Sequence, residues 1–126
     1  MVKKKILIID DEEDFTNIVK SNLDGFGTYE VAVENKAVNA ISTIKLFKPD
    51  LILLDIIMPE IDGGEIACQV ESSQDTQNTP IVFLTAALTK NEAASHKGGQ
   101  IGGRVFMAKP VTLKELVDCI EKNIIK

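Results

Sequence analysis

The sequence predicts an α/β domain: a doubly wound, five-stranded parallel sheet with helices on both faces. Three observations predict it. Short apolar runs alternate with segments of helical periodicity along all 126 residues. Several runs are apolar throughout, as strands covered on both faces are. No repeat, low-complexity tract or Pro/Ser-rich linker interrupts the rhythm, so residues 1–126 read as a single domain. A hydrophobic content of 44% supplies a core for a domain of this size without disulfides or a structural metal.

Strands are expected at Lys5–Ile9, Tyr29–Val33, Leu51–Leu54, Ile81–Leu84 and Val105–Met107. Between the first two, Phe15, Ile18, Val19 and Leu23 recur at helical spacing, and Gly25 stands where a helix C-cap favours positive φ. Ala37, Ile41 and Ile44 mark a second helix, which must stop near Pro49 because proline disfavours helical geometry in the residue before it. Ile66, Ala67 and Val70 mark a third. Thr89 with Glu92 has the spacing of a capping box for a fourth, ended by Gly98. The fifth has the cleanest stripe, Leu113, Leu116, Val117, Ile120 and Ile124, opened by a second capping box at Thr112 and Glu115.

Charge excludes some functions. A formal net charge of -5 offers no basic field for nucleic-acid phosphates, so direct DNA binding by this segment is not expected. The amino terminus begins basic and then apolar, but the run from Ile6 to Ile9 ends at Asp10, which suits a strand and not a signal peptide. No stretch approaches the roughly 20 apolar residues of a membrane-spanning helix, and a cytoplasmic domain is expected. Cys68 and Cys119 lack partners at metal-ligand spacing and fall on the third and fifth predicted helices, on opposite faces of the sheet, so they are expected to stay reduced. His96 has no Cys or His nearby and reads as a surface residue.

Doubly wound sheets bind ligands beyond the carboxyl ends of their strands. There the sequence places Asp10 and Asp11 after the first strand, Asp55 after the third, Thr85 after the fourth, and Lys109 with Pro110 after the fifth. Three close carboxylates repel one another unless a cation sits among them or their pKa values rise. Magnesium, which favours oxygen ligands and is commonly held by one or two carboxylates plus a phosphate, suits that set. Lys109 adds a compact positive charge and Thr85 a hydroxyl donor for the same group. Each residue has a plainer use. An Asp-Asp pair often opens a helix, Thr85 could cap one, Lys109 could end a strand, and Phe106 could be core. Asp55 resists a plain reading, because a lone charge within an apolar run is costly.

The segments ILIIDDEED, LILLDIIMPEIDG, PIVFLTA and VFMAKP, with their order and separations, resemble the receiver domains of two-component response regulators nearly from end to end. The resemblance implies the flavodoxin-like strand order 2-1-3-4-5. It implies Asp55 as phosphoacceptor, with magnesium, or manganese in its place, bound by Asp11, Asp55 and the backbone carbonyl of Ile57, and with Asp10 assisting through water. Thr85, Ala86 and Lys109 then contact the phosphoryl group, and the Lys109–Pro110 bond is implied to be cis, X-Pro being where that isomer is cheap. Thr85 and Phe106 are implied as the switch. They would alter the face of the fourth predicted helix, fifth predicted strand and fifth predicted helix. The implied partners are a histidine kinase or histidine phosphotransfer protein as donor and a downstream effector, with a phosphorylation-dependent homodimer left open. Such a domain is not a turnover enzyme in the usual sense; it catalyses its own phosphorylation and dephosphorylation.

The chain departs from the family in places. Val111 stands where phenylalanine is common, and Ile57 and Ala87 are apolar beside the acceptor where many members are polar. The last predicts poorly positioned hydrolytic water and a long-lived phosphorylated state. The four glycines between His96 and Phe106 predict a mobile or unusually shaped connection. Three other classes compete. A receiver-like docking module that never takes phosphate is the alternative nearest in fold. A magnesium-dependent aspartyl phosphatase fits poorly, since its Asp-x-Asp arrangement is replaced by Asp10-Asp11-Glu12. A flavin-binding sheet would want a hydroxyl-rich loop where this chain is acidic.

Overall fold

In the computed structural model, residues 3–86, 100–101 and 104–124 are described. The strands are β1 (Lys4–Ile9), β2 (Tyr29–Glu34), β3 (Leu51–Asp55), β4 (Ile81–Thr85), β5 (Gln100–Ile101) and β6 (Arg104–Ala108). The helices among these residues are α1 (Glu13–Phe26), α2 (Ala40–Phe47), α3 (Gly63–Ser72) and α4 (Leu113–Asn123). The sheet order is β2-β1-β3-β4-β6-β5. Every neighbouring pair is parallel except β5 with β6. With β6 as the fifth predicted strand, the five parallel strands stand in the expected order 2-1-3-4-5, each within one residue of its expected limits at either end. The two-residue antiparallel edge strand β5 is an addition the sequence does not announce.

Alternation of side chains across the pleat divides the core in two. Ile6, Ile8, Leu51, Leu53, Val82 and Leu84 meet Val19 and Leu23 of α1 and Leu116 and Ile120 of α4. Leu7, Ile9, Ile52, Leu54 and Phe83 meet Ala40 and Ile44 of α2 and Ile66, Ala67 and Val70 of α3. All five residues of β3 are buried, as the central strand of a two-sided sheet must be. Cys68 on α3 and Cys119 on α4 are therefore separated by the sheet, and both are free.

Two helix details differ from expectation. Gly25 lies inside α1, and the left-handed cap is Gly27, with φ of 91° and its N–H donating to the Asp24 carbonyl at 3.1 Å. The added residues let Phe26 stack on Tyr29 at 6.0 Å between ring centroids. Ile18 is 61% exposed. The buried face of α1 is Thr16, Val19 and Leu23, spaced three and four residues apart, and Ile18 lies one residue, about 100° of helical turn, off it. In the second helical segment a 3₁₀ turn at Ala37–Asn39 precedes α2, and the chain leaves α2 through Lys48 at φ of 54°, just before Pro49. The Thr112–Glu115 capping box of α4 is formed in both directions. The fourth predicted helix, Ala87 and His96 lie outside the described residues, as does most of the Gly-rich connection. No helix among the described residues is long and apolar enough to cross a membrane.

Candidate functional site

Strand register brings the site residues to one edge. Ile9 pairs with Leu54 and Asp55 with Leu84, so the carboxyl ends of β1, β3 and β4 lie level. Asp10 follows β1, Asp55 ends β3, Thr85 ends β4, and Lys109 follows β6. Two backbone bonds carry the ladders one residue further: Asp10 N–H donates to the Glu34 carbonyl at 3.1 Å, and Lys109 N–H to the Thr85 carbonyl at 2.9 Å. The Lys109–Pro110 peptide bond is cis.

Carboxylate oxygens of Asp10, Asp11 and Asp55 all lie within 4.8 Å of one another. Asp10 is fully buried, Asp55 is 5% exposed, and Asp11 is the most open of the three. Lys109 reaches the cluster with its Nζ 2.6 Å from Asp10 Oδ2, 3.0 Å from Glu12 Oε1 and 3.8 Å from Asp55 Oδ1. Burial pushes the Asp55 carboxyl up to about 6, the nearby Asp10 charge adds to the rise, and Lys109 with the Ile57 N–H partly offsets it. Burial works downward on Lys109, but its hydrogen bonds to Asp10 and Glu12 and the charges of Asp10 and Asp55 leave it above the usual lysine value. Asp55 is thus a poorly solvated carboxylate held among like charges.

This donor set fits a hard divalent ion. It offers close carboxylate oxygens, two of the three carboxylates buried, and the repulsion that lifts Asp55 is what a dication would relieve. Asp10 already receives the Glu12 N–H on Oδ1 at 3.0 Å and Lys109 on Oδ2. Asp11 and Asp55 are the freer ligands, and Asp10 suits a role through water.

The remaining expected site residues fall as follows. Thr85 is buried and Ala86 exposed at the end of β4. Ile57 presents its N–H to the Asp55 carboxylate, and its side chain is 68% exposed. Phe106 is half-buried on the α3 side, stacked on Phe83 at 5.1 Å.

Three contributors escaped the sequence reading, and a fourth, Gly63, stands in it only as the last residue of LILLDIIMPEIDG. Glu12 pairs with Lys109, and the Phe15 ring lies beneath the same ammonium, 4.5 Å from its centroid. Asn35 donates from Nδ2 to the Asp10 carbonyl and to Thr16 Oγ1, both at 2.9 Å, tying the acidic turn to the sheet. It follows β2, so the strand-end rule that found the other residues would have found it had that strand been included. Gly63 donates its N–H to the Ile56 carbonyl at 2.7 Å. A Cβ there would lie 2.3 Å from the Asp55 carbonyl oxygen, so only glycine lets α3 start this close to the end of β3.

Known proteins are similar to this chain in sequence and in fold. The nisin biosynthesis regulatory protein NisR of Lactococcus lactis is 36% identical over 120 residues, which cover 95% of this chain and 50% of that protein. The alkaline phosphatase synthesis transcriptional regulatory protein PhoP of Bacillus subtilis is 34% identical over 115 residues, 91% of this chain and 46% of that protein. The chain spans about half the length of these curated relatives. Among solved structures, the signal receiver domain of a DNA binding response regulator from Colwellia psychrerythraea matches with a TM-score of 0.78 and 25% identity, covering 95% of this chain and 97% of that one. Chemotaxis protein CheY4 of Vibrio cholerae matches with a TM-score of 0.80 at 24% identity over 96% and 98%, a likeness of fold alone. Residues 6–121 match the family model of the response regulator receiver domain, a span that runs from within β1 into α4 and holds the whole acidic edge, and the chain belongs to that family.

Proposed function

We propose that this receiver domain accepts a phosphoryl group on Asp55 from a histidine kinase or histidine phosphotransfer protein. The observation that carries the reading is the Asp10, Asp11, Asp55 cluster within 4.8 Å, with Lys109 3.8 Å from Asp55. An Asp55 carboxylate oxygen attacks phosphorus in line; the bond from phosphorus to the donor nitrogen breaks, and its electron pair leaves with the donor. Magnesium, or manganese in its place, would be held by Asp11, Asp55 and the Ile57 carbonyl, and supplies positive charge to the transferring oxygens. Lys109 neutralises further charge there, Thr85 and Ala86 contact the phosphoryl oxygens, and Asp10 orients water and Lys109.

Asp55 then changes from about one negative charge to nearly two, with strong acceptor oxygens. Thr85 and Phe106 pass that change to the face that includes β6 and α4. The face acts on a downstream effector, a reading supported by relatives named as transcriptional regulatory proteins and roughly twice this chain's length. Addition of phosphoramidate and magnesium, followed by amide NMR, separates this from a docking module. The expected result is shifts at Thr85, Phe106 and along α4 that are absent in Asp55→Asn. A spectrum unchanged in the wild type would leave the docking module as the better account.

A further inference from the structure

The Lys109 ammonium carries three protons. One faces Asp10 Oδ2 at 2.6 Å and another Glu12 Oε1 at 3.0 Å, while the Phe15 ring lies 4.5 Å away. Asp55 Oδ1, at 3.8 Å, is beyond hydrogen-bond reach. The cation that should serve the phosphoryl group is thus hydrogen-bonded to the wall and the rim of the site, and meets Asp55 only as a longer ion pair. Glu12 makes the rim contact. It occupies the N-cap position of α1, yet its side chain makes no capping bond, and its own N–H goes to Asp10 Oδ1. Its carboxylate instead reaches a lysine 97 positions along the chain.

We propose that Glu12 is a positioning residue that, with the Phe15 ring, holds Lys109 at the rim while the domain is unphosphorylated, and must release it when Lys109 moves onto the phosphoryl group. The proposal rests on Asp55 being the phosphoacceptor. Asp10 can keep its contact in both positions, because it is buried beside Lys109 and close to Asp55. Glu12 serves only the rim position. Its side chain is 64% exposed, so its hold is of the weak, solvent-screened kind that can be broken and remade. A contact that stabilises the resting site more than the transition state slows transfer, and its removal speeds it.

The Phe15 ring supplies a spectroscopic marker, since ring current shifts the Lys109 ε-methylene signal upfield while the ammonium sits over it. Phe15→Leu gives the unshifted reference. In unphosphorylated, magnesium-free protein, Glu12→Ala is expected to move the Lys109 signal toward that reference. Glu13→Ala removes the same charge one residue on and is expected to leave it in place. At saturating magnesium, the phosphorylation rate with phosphoramidate is expected to rise about threefold to fivefold in Glu12→Ala, the effect of a contact worth up to roughly 1 kcal/mol, and to stay unchanged in Glu13→Ala. A Lys109 signal unmoved by Glu12→Ala, or equal responses in the two variants, overturns the proposal. A wild type that takes no phosphoryl group, while the Lys109 signal responds as expected, upholds the Glu12 hold and sinks the phosphoacceptor reading instead.

Discussion

Asp55 is costly to keep ionised, and that cost is measurable. Its carboxyl is raised from 3.8 to about 6 by burial first and by Asp10 second. A raised carboxyl favours the folded state fully below the unfolded pKa near 4, and the advantage is lost as pH climbs through about 6. Asp55→Asn removes the charge, so without magnesium it is expected to be more stable than the wild type at pH 8 by about 2–3 kcal/mol, the linkage value of such a shift. The difference should vanish near pH 4. Chemical denaturation at the two pH values checks this; equal stability of the two proteins at pH 8 would mean that Asp55 is not desolvated among like charges. Ile57 makes a second residue-scale prediction. Its apolar side chain is exposed two positions after Asp55, the proposed acceptor, where a polar group could orient the hydrolytic water. Ile57→Asn is expected to shorten the lifetime of the phosphorylated state, and a rate of dephosphorylation that is unchanged or slower counts against that role. At this scale the sequence disclosed Asp55 because a charge within LILLDII has few structural uses. It did not disclose Glu12 or Phe15, whose parts depend on where the Lys109 side chain ends up in space, whereas Asn35, directly after β2, is within reach of the strand-end rule.

Among the elements, the strands were the most legible, since continuous apolar runs bounded by turn residues leave little freedom of assignment. Helix ends were less so. With Gly25 and Gly27 both available, pattern alone does not say which one caps α1; the Phe26–Tyr29 stacking favours the later exit. The strand β5 gave no signal because two residues carry no periodicity, and they lie within a glycine-rich stretch. Gly63 shows how an element constrains the site. The first turn of α3, capped by the Asp62 carboxylate on the Glu65 N–H at 2.9 Å, sits against the Asp55 backbone. Since the atoms a Cβ would meet are backbone, Gly63→Ala is expected to shift α3 off β3 and to destabilise the domain by roughly 1–3 kcal/mol. A Gly63→Ala melting temperature within a degree of the wild type would show that the approach is looser than described.

Over the whole molecule, topology does what no single segment can. Asp10 and Lys109 stand 99 positions apart, yet the doubly wound sheet sets the ends of β1, β3, β4 and β6 side by side, and the ammonium meets the carboxylate at 2.6 Å. The site was legible to the extent that strand ends were legible. Side-chain partners reached around the rim were not, because spacing in sequence does not encode them. The fold also separates the tasks: one core joins α1 and α4 to the sheet, the other α2 and α3, and the acidic cluster with Lys109 stands at the edge common to both. A local change of charge at Asp55 therefore has two packed layers through which to act. The most direct test of the central claim is intact-mass analysis after incubation with phosphoramidate. The expected result is a gain of one phosphoryl group by the wild type with magnesium, none without it, and none in Asp55→Asn under either condition. A gain that is independent of magnesium, or that persists in Asp55→Asn, would contradict it.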